Sequence, residues 1–194
     1  MTKYIKIVNF IIIISVIFTS CATFPFMGKA PISSYIADAG VKRPKELTKF
    51  FMANNPKANK KEVSRLAQYY VAEGAYEGIN SDIAFVQMCL ETGFLTYGGL
   101  VTEDMNNFCG LGAIDKNNTG ERFPSPQLGV RAHIQHLHAY GTTEPLKGTL
   151  IDMRYKYVQP KGKSPTIAGL SGTWAADRAY GDKLQRLLNK LEKY

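Results

Sequence analysis

The sequence has few cysteines and no internal repeat. Three cysteines in 194 residues are too few for a disulfide-stabilised scaffold, and no Cys/His cluster has the spacing of a zinc finger. No period of about 20 to 50 residues recurs, which excludes the common repeat architectures. Hydrophobic residues make up 45% of the chain, too many for an intrinsically disordered protein. We therefore expect one globular domain with a hydrophobic core.

The chain also lacks a hydrophobic run long enough to span a membrane comfortably. The stretch over residues 7–18 is apolar except at Asn9 and Ser15, whereas a membrane span needs about 20 apolar residues. Such a short run, preceded by Lys3 and Lys6, is typical of the hydrophobic part of a signal peptide.

A small residue stands directly before Cys21, as in a bacterial lipobox, although Phe18 replaces the usual leucine. We expect a lipoprotein signal peptide over residues 1–20, cleavage before Cys21 and a lipid on its thiol. An uncleaved N-terminal anchor is the alternative. In both cases the rest of the chain lies in the bacterial cell envelope, attached to a membrane on its extracytoplasmic side.

Basic residues outnumber acidic ones, with 24 Lys and Arg against 16 Asp and Glu. Without residues 1–20 the chain has 22 basic residues against the same 16 acidic ones, a net charge of +6. A basic exported protein can bind anionic lipid or an acidic wall polymer, whereas export argues against nucleic acid. The basic residues are scattered, with one small cluster at Lys57, Lys60 and Lys61, so we expect a solvated face.

Residues 21–43 contain two prolines and two glycines and show little hydrophobic periodicity. This composition predicts a flexible tether between the lipidated cysteine and the folded domain. Ordered structure is expected from Pro44, since proline suits the first turn of a helix. The folded domain is then predicted to span residues 44–194.

Helical patterns dominate this domain. Asn59 and Glu62 have the spacing of a capping box and precede a stripe of apolar residues at helical intervals. A last helix is predicted over residues 176–193, and residues 153–158 are the candidate for a short strand. The chain is therefore predicted to be mainly α.

The segment from Ser81 to Gly93 is apolar nearly all round after Asp82, which predicts a buried helix. Its strongly polar members are Gln87 and Glu91, four residues apart on one helix face. A carboxylate at this place is desolvated and faces the negative end of the helix dipole. Both effects raise the pKa of a glutamic acid and suit it to general-acid catalysis. The alternative is a Glu91 that caps its helix or pairs with an arginine.

Four sequence blocks occur in the order found in a known enzyme family. They are AFVQMCLETGFL at residues 84–95, MNNFCGLGA at 105–113, FPSPQLGVRAHIQHLHAY at 123–140 and GTWAADRAYGDKL at 172–184. Together they resemble the glucosaminidase family of bacterial peptidoglycan hydrolases over most of residues 46–192. The ETG at residues 91–93 of the first block is not specific by itself, whereas the four blocks in this order are specific.

The resemblance implies a lysozyme-like α bundle with a substrate groove between two lobes and at most a short β-hairpin. It implies that the substrate is the peptidoglycan glycan strand, cut after N-acetylglucosamine at its β-1,4 link to N-acetylmuramic acid. By motif, Glu91 matches the catalytic acid and Tyr180 an aromatic hydroxyl that supports the reaction. The expected substrate-binding residues in these blocks are Gln87, Asn106, Asn107, Phe108 and Gly110. We expect neither a cofactor nor an oligomer.

Glycoside hydrolysis usually needs a second carboxylate besides the acid. The downstream candidates are Glu103, Asp104, Asp115 and Glu121. We favour Glu121 as the second catalytic residue, because the turn over residues 117–120 before it can carry it to the groove rim. A plain surface charge at Glu121 is the alternative, and in that case the acetamido group of the substrate can act as internal nucleophile.

Three histidines lie close together, at His133, His136 and His138, but their spacing completes no metal-binding motif, so we expect no metal site. His136 and Tyr140 are four residues apart, and we expect them to wall the groove; ordinary helix packing is the alternative. Trp174 can stack on a sugar ring, although burial in the core is the more common fate of a lone tryptophan.

Cys89 and Cys109 remain once Cys21 carries a lipid. Outside the cytoplasm they can form a disulfide that closes a loop of about 20 residues. Two buried thiols that act as small hydrophobic side chains are the alternative.

Three classes of function follow from these observations. We favour an active endo-acting glucosaminidase with Glu91 as its acid. A wall-binding lipoprotein of the same fold with little or no turnover is the first alternative, since the second carboxylate is not identified. A surface interaction protein is the second alternative, and only the basic charge supports it.

Overall fold

The computed structural model describes residues 30–194; the predicted signal peptide, Cys21 and the first part of the predicted tether lie outside these residues. Between residues 30 and 194 the chain forms five α-helices and one two-stranded antiparallel hairpin. The helices are α1 (Pro44–Asn54), α2 (Lys60–Glu77), α3 (Ser81–Glu91), α4 (Pro126–Gly141) and α5 (Tyr180–Leu191). The strands are β1 (Ala113–Asp115) and β2 (Asn118–Thr119). The prediction of a mainly α fold with at most a short hairpin is confirmed.

The predicted start signals act where the sequence places them. Pro44 opens α1, and the Asn59 side chain accepts the backbone N–H groups of Lys61 and Glu62 at the start of α2. The latter helix ends at Gly78, whose φ of 77° lies in the left-handed region that glycine adopts without strain.

Two predicted elements differ in the structure. Residues 153–158 form no strand; a 3-10 turn spans Tyr155–Tyr157, and local turn hydrogen bonds take the place of ladder bonds. The last helix, predicted over residues 176–193, starts four residues later. The delay has a local cause, since the Asp177 side chain accepts the Ala179 N–H at 2.8 Å in a turn before the helix.

Helix α3 runs through the centre of the core. Every residue from Ser81 to Cys89 is buried, and the helix packs against all four other helices. Aromatic side chains of α1 and α2 surround it: Phe51 and Tyr70 both pack edge-on against Phe85. Only the last turn leaves the core, so Glu91 emerges from a helix whose position is held on every side.

None of the helices within residues 30–194 is long and apolar enough to cross a membrane.

The predicted tether over residues 21–43 is wrong for its second half. Ile36 is fully buried and its N–H donates to Pro165 O at 2.9 Å. Further along, the Val41 N–H donates to Asp82 Oδ2 at 2.8 Å. Pro and Gly content indicated flexibility, but one apolar side chain and a buried carboxylate dock the segment onto the domain.

Gly129 in α4 allows the loop that carries Asn106 and Phe108 to lie directly against the helix. A Cβ at residue 129 would lie 1.8 Å from Asn106 O and 3.2 Å from the Phe108 ring. Gly129→Ala is expected to lower the free energy of unfolding by about 1 to 3 kcal/mol, because the clash is with backbone that cannot rotate away. Urea unfolding measures the change.

Gly99→Ala is the matched control, since a Cβ there meets nothing within 4 Å. Its free energy of unfolding should stay within about 0.5 kcal/mol of the wild type. Equal unfolding midpoints for the two variants would show that the loop does not depend on this close approach.

Candidate active site

Glu91, the last residue of α3, lies in a groove between the helical body and the hairpin. Two cavities meet at this residue, one of about 180 Å³ and one of about 320 Å³. Both are lined by Glu91, Gly110 and Ala113. The groove therefore continues on both sides of the carboxyl group.

Two hydrogen-bond donors hold the carboxyl group of Glu91. The Tyr180 hydroxyl donates a short hydrogen bond to Oε1, and Trp174 Nε1–H donates to the same oxygen at 3.2 Å. Burial raises the pKa of Glu91, and the hydrogen bonds from Tyr180 and Trp174 oppose this rise without cancelling it. Although Glu91 as a residue is exposed, its carboxyl group is covered by these two side chains, so the desolvation acts on the group that titrates.

A buried chain of hydrogen bonds continues behind Tyr180. Gln87 Nε2 donates to the Tyr180 oxygen at 2.8 Å, and Gln87 Oε1 lies 3.0 Å from His133 Nε2. At the far end, the Tyr70 hydroxyl lies 2.9 Å from His133 Nδ1. Since the amide oxygen of Gln87 only accepts, His133 donates from Nε2 and accepts from Tyr70 at Nδ1. Burial lowers the pKa of His133 to about 3, so the ring is neutral. The donors in this chain of hydrogen bonds therefore all face one way, from Tyr70 towards Glu91, and the Tyr180 hydroxyl donates its proton to Glu91.

The expectation that Gln87 contacts substrate is wrong. The residue is completely buried, and both ends of its amide are occupied by Tyr180 and His133. The physical reason is the burial of α3: the face that Gln87 shares with Glu91 turns inward until the final turn of the helix. Its place in the site is to position Tyr180, and the structure does bring Tyr180 onto the carboxyl group of Glu91.

The residues of the NNF motif are distributed around the groove. Gly110 lines it beside Glu91, whereas Asn106 and Phe108 line a larger cavity of about 520 Å³ on the other side of Tyr97, which does not contain Glu91. Because Glu91, the candidate acid, lines the two smaller cavities, we take these as the candidate active site.

Asn107 has a structural role that sequence reasoning did not anticipate. It is buried, its Nδ2 donates to the carbonyl oxygens of Leu111 and Glu121, and its Oδ1 accepts the Leu111 N–H. The side chain therefore joins the loop to the hairpin, and the residue also lines the 180 Å³ cavity beside Glu91.

Glu121 follows β2 and lies at the base of the hairpin, half-buried. Its Oε1 is 3.3 Å from where a Cβ on Gly112 would stand. It is not among the residues that line the two cavities at Glu91, and no other carboxylate within residues 30–194 lines them. The structure thus does not bring Glu121 and Glu91 into one cavity.

His136, Tyr140 and Trp174 form an aromatic wall in the 320 Å³ cavity beside Glu91. The Trp174 ring centroid lies 5.1 Å from that of His136 and 5.2 Å from that of Tyr140. Core burial, which we favoured for Trp174, is wrong: it is half-buried at the groove, where its N–H reaches Glu91. Its ring packs edge-on against His136 and at a tilt against Tyr140, and these contacts hold it there.

Two site residues were missed by sequence reasoning, because they lie in an irregular loop without a motif. Asp152 is buried, and its Oδ2 accepts a hydrogen bond from His136 Nδ1 at 2.6 Å. Its Oδ1 accepts the backbone N–H of Arg154 at 2.9 Å, and Arg154 lines the same cavity as Glu91. Asp152 thus positions two groups of the groove wall.

Asp152→Ala is expected to lower kcat/KM about tenfold, mainly through KM, because His136 loses a charged partner that holds its ring. Steady-state kinetics on wall fragments measures the effect. The exposed acid Glu144 is the control, and Glu144→Ala should leave both constants unchanged. A loss in melting temperature with unaltered kinetics would mean that Asp152 only stabilises the loop.

The third histidine, His138, does not join the other two in a metal site. His138 Nδ1 lies 3.2 Å from the Tyr155 hydroxyl, away from the other two histidines' partners. Within residues 30–194 no group of three or more His, Cys, Asp or Glu side chains could hold a metal ion.

Cys89 and Cys109 are free and buried, and burial raises the pKa of both thiols. The structure thus has the two-thiol alternative and not the disulfide.

Comparisons with known proteins show the family of the chain. The family model for mannosyl-glycoprotein endo-beta-N-acetylglucosaminidases matches residues 67–193, which include Glu91, Tyr180 and the aromatic wall. An uncharacterized protein of Borreliella burgdorferi is 37% identical over 160 residues, covering 82% of this chain and 78% of that protein. The crystal structure of S. aureus autolysin E in complex with the muropeptide NAM-L-Ala-D-iGlu has a TM-score of 0.52 at 16% identity. That match covers 86% of this chain and 74% of the other, and shows a shared fold. The chain belongs to the glucosaminidase family of glycoside hydrolases.

Proposed function

We propose that the protein is a peptidoglycan hydrolase that cuts the β-1,4 bond after N-acetylglucosamine, with Glu91 as general acid. The observation that carries the proposal is a carboxyl group with a raised pKa in the middle of a groove, held by two donors on one oxygen. Family membership supports glycosidase chemistry. The muropeptide bound to autolysin E, a protein of similar fold, supports a wall substrate.

The hydrogen bonds indicate where the acidic proton resides. Oε1 of Glu91 accepts from both Tyr180 and Trp174, and within residues 30–194 Oε2 has no hydrogen-bond partner. The proton of the neutral acid therefore belongs on Oε2, from which it passes to the leaving oxygen as the bond to the anomeric carbon breaks. Glu91 then becomes a carboxylate, which the Tyr180 hydroxyl stabilises. Burial raises the pKa of Tyr180, so its hydroxyl keeps its proton as a donor.

The shape of the groove supports cutting within a strand. The two cavities share Glu91, Gly110 and Ala113 and otherwise have different lining residues, so sugar rings can occupy both cavities next to the acid. The step after protonation is supported best as attack by the acetamido oxygen of the substrate on the anomeric carbon, because no second carboxylate of the described residues lines these cavities. Water then opens the cyclic intermediate. A Glu121 that moves in from the hairpin is the alternative.

Product analysis tests the proposed bond. A chain starting at Ala22 contains every helix and core residue of the described domain. Incubated with purified peptidoglycan and followed by borohydride reduction and acid hydrolysis, it should yield glucosaminitol from new N-acetylglucosamine ends. Muramitol instead would mean that the other glycosidic bond is cut. If the protein sediments with peptidoglycan without releasing reducing ends, it is a wall-binding protein.

We also propose that the protein is a lipoprotein of the bacterial cell envelope, anchored through Cys21. The support is the sequence of residues 1–21, which lies outside the described residues. Labelling of growing cells with radioactive palmitate should mark the wild-type protein and not Cys21→Ala. Absence of label from both proteins would leave an uncleaved N-terminal segment as the anchor, and equal labelling would place the lipid on another residue.

A further inference from the structure

Six basic side chains gather on the outer face of α1 and α2. They line two adjoining cavities that share Lys60, Ser64 and Gln68, and all six are exposed. We name this surface the basic face; its members are Arg43, Lys45, Lys49, Lys60, Lys61 and Arg65. The sequence predicted scattered charges with one small cluster over residues 57–61. Packing of α1 on α2 is what brings the two groups of three together.

The basic face is poorly neutralised. No acidic side chain lines either cavity. Glu46 pairs with Arg43 at 2.8 Å but is itself buried, and Glu62 lines a neighbouring cavity together with Arg65. Against these two acidic side chains stand six cations, and apart from Arg43 none of the six has an ion pair within residues 30–194.

We propose that the basic face docks on a bilayer surface that contains anionic phospholipid. Charge complementarity is the first argument, since each Lys or Arg held near such a surface strengthens binding about fivefold. The six charges are spread over two helices and two adjoining cavities, and such a broad distribution suits a plane of headgroups better than one phosphate.

The length of chain before the described domain is the second argument. Eight residues, 22–29, separate the proposed lipid on Cys21 from the described part of the chain, and fully extended they span at most about 29 Å. The bilayer is therefore the anionic surface nearest to an anchored domain. This inference rests on the proposed lipid anchor and not on the hydrolase activity.

Docking would leave the groove accessible. The residues that line the basic face and those that line the two cavities at Glu91 do not overlap. The proposal thus assigns an orientation: the outer face of α1 and α2 lies on the headgroups, and the lipid and the basic face together hold the domain at the membrane.

Vesicle binding tests the proposal with the chain starting at Ala22, which carries no lipid. It should sediment with phosphatidylcholine vesicles containing about one-third phosphatidylglycerol, not with phosphatidylcholine alone, and should be released as salt rises to about 0.5 M. Lys49→Gln/Lys60→Gln should weaken partition about 20-fold. Lys147→Gln/Lys156→Gln removes the same charge from exposed positions outside the basic face and should bind within about twofold of the wild type.

Equal weakening in both double variants would overturn the proposal, because net charge alone would then explain binding. The proposal would also be overturned if Lys49→Gln/Lys60→Gln still sedimented with vesicles but no longer with purified peptidoglycan. The partner of the basic face would then be a wall polymer. Reducing-end release from free peptidoglycan should be the same in this variant and the wild type. A wild-type chain that binds vesicles without releasing reducing ends would contradict the proposed hydrolase and leave the docking surface supported.

Discussion

Replacing Glu91 by Gln is expected to lower kcat for peptidoglycan hydrolysis by about 100- to 10,000-fold, the usual contribution of a positioned general acid. Glutamine has the shape of glutamic acid, and its amide oxygen can still accept from Tyr180 and Trp174, so the groove should keep its geometry. What is lost is the proton on Oε2. Reducing-end release and the melting temperature measure the two effects separately.

Glu144→Gln is the matched control, because Glu144 is exposed and lines neither cavity at Glu91. It should retain wild-type activity. Appreciable turnover by Glu91→Gln would show that another group protonates the leaving oxygen, and the assignment of the acid would be wrong.

The raised pKa of Glu91 also sets two pH dependences. Only the protonated acid is active, so wild-type activity should fall as pH rises through this pKa, at a higher pH than an ordinary glutamic acid would give. For stability, a carboxyl group whose pKa is raised in the folded state makes its full contribution to the free energy of unfolding below its unfolded-state pKa. This contribution is lost as the pH rises through the folded-state pKa. Above the folded-state pKa of Glu91, Glu91→Gln should therefore be at least as stable as the wild type.

Tyr180→Phe is expected to lower kcat about 10- to 150-fold, the range for one hydrogen bond to a charged group. The hydroxyl stabilises the carboxylate that Glu91 becomes when it gives up its proton. Because this hydrogen bond opposes the effect of burial, its removal should raise the pKa of Glu91 further. The basic limb of the pH–activity profile should move to higher pH. Gln87 Nε2 loses its buried acceptor, which should cost about 1 to 3 kcal/mol of stability.

Tyr70→Phe is the control for a purely structural effect. It removes a hydroxyl from the other end of the same buried chain, where Tyr70 contacts His133 and not Glu91. A similar loss of stability is expected, with a smaller loss of activity and an unshifted basic limb. Identical pH profiles for Tyr180→Phe and the wild type would contradict a direct role of the hydroxyl at the acid.

Short-range patterns in the sequence determined the elements and the family. Proline at position 44, the cap at Asn59 and the apolar run of α3 each act through neighbours a few residues away, so they can be recognised without the fold. The four motif blocks identified the family, and with it the position of Glu91 and of Tyr180.

Tertiary structure decided what surrounds the acid. The donors to Glu91 come from residues 83 and 89 positions further along the chain, and no local periodicity reports such contacts. Burial of α3 decided that Gln87 faces inward, and a loop without a motif brought Asp152 to His136. The basic face likewise exists only because α1 packs on α2. Sequence patterns show which face of a helix or strand is apolar. They do not show which polar groups meet, because each of these contacts joins distant parts of the chain and depends on how the elements pack.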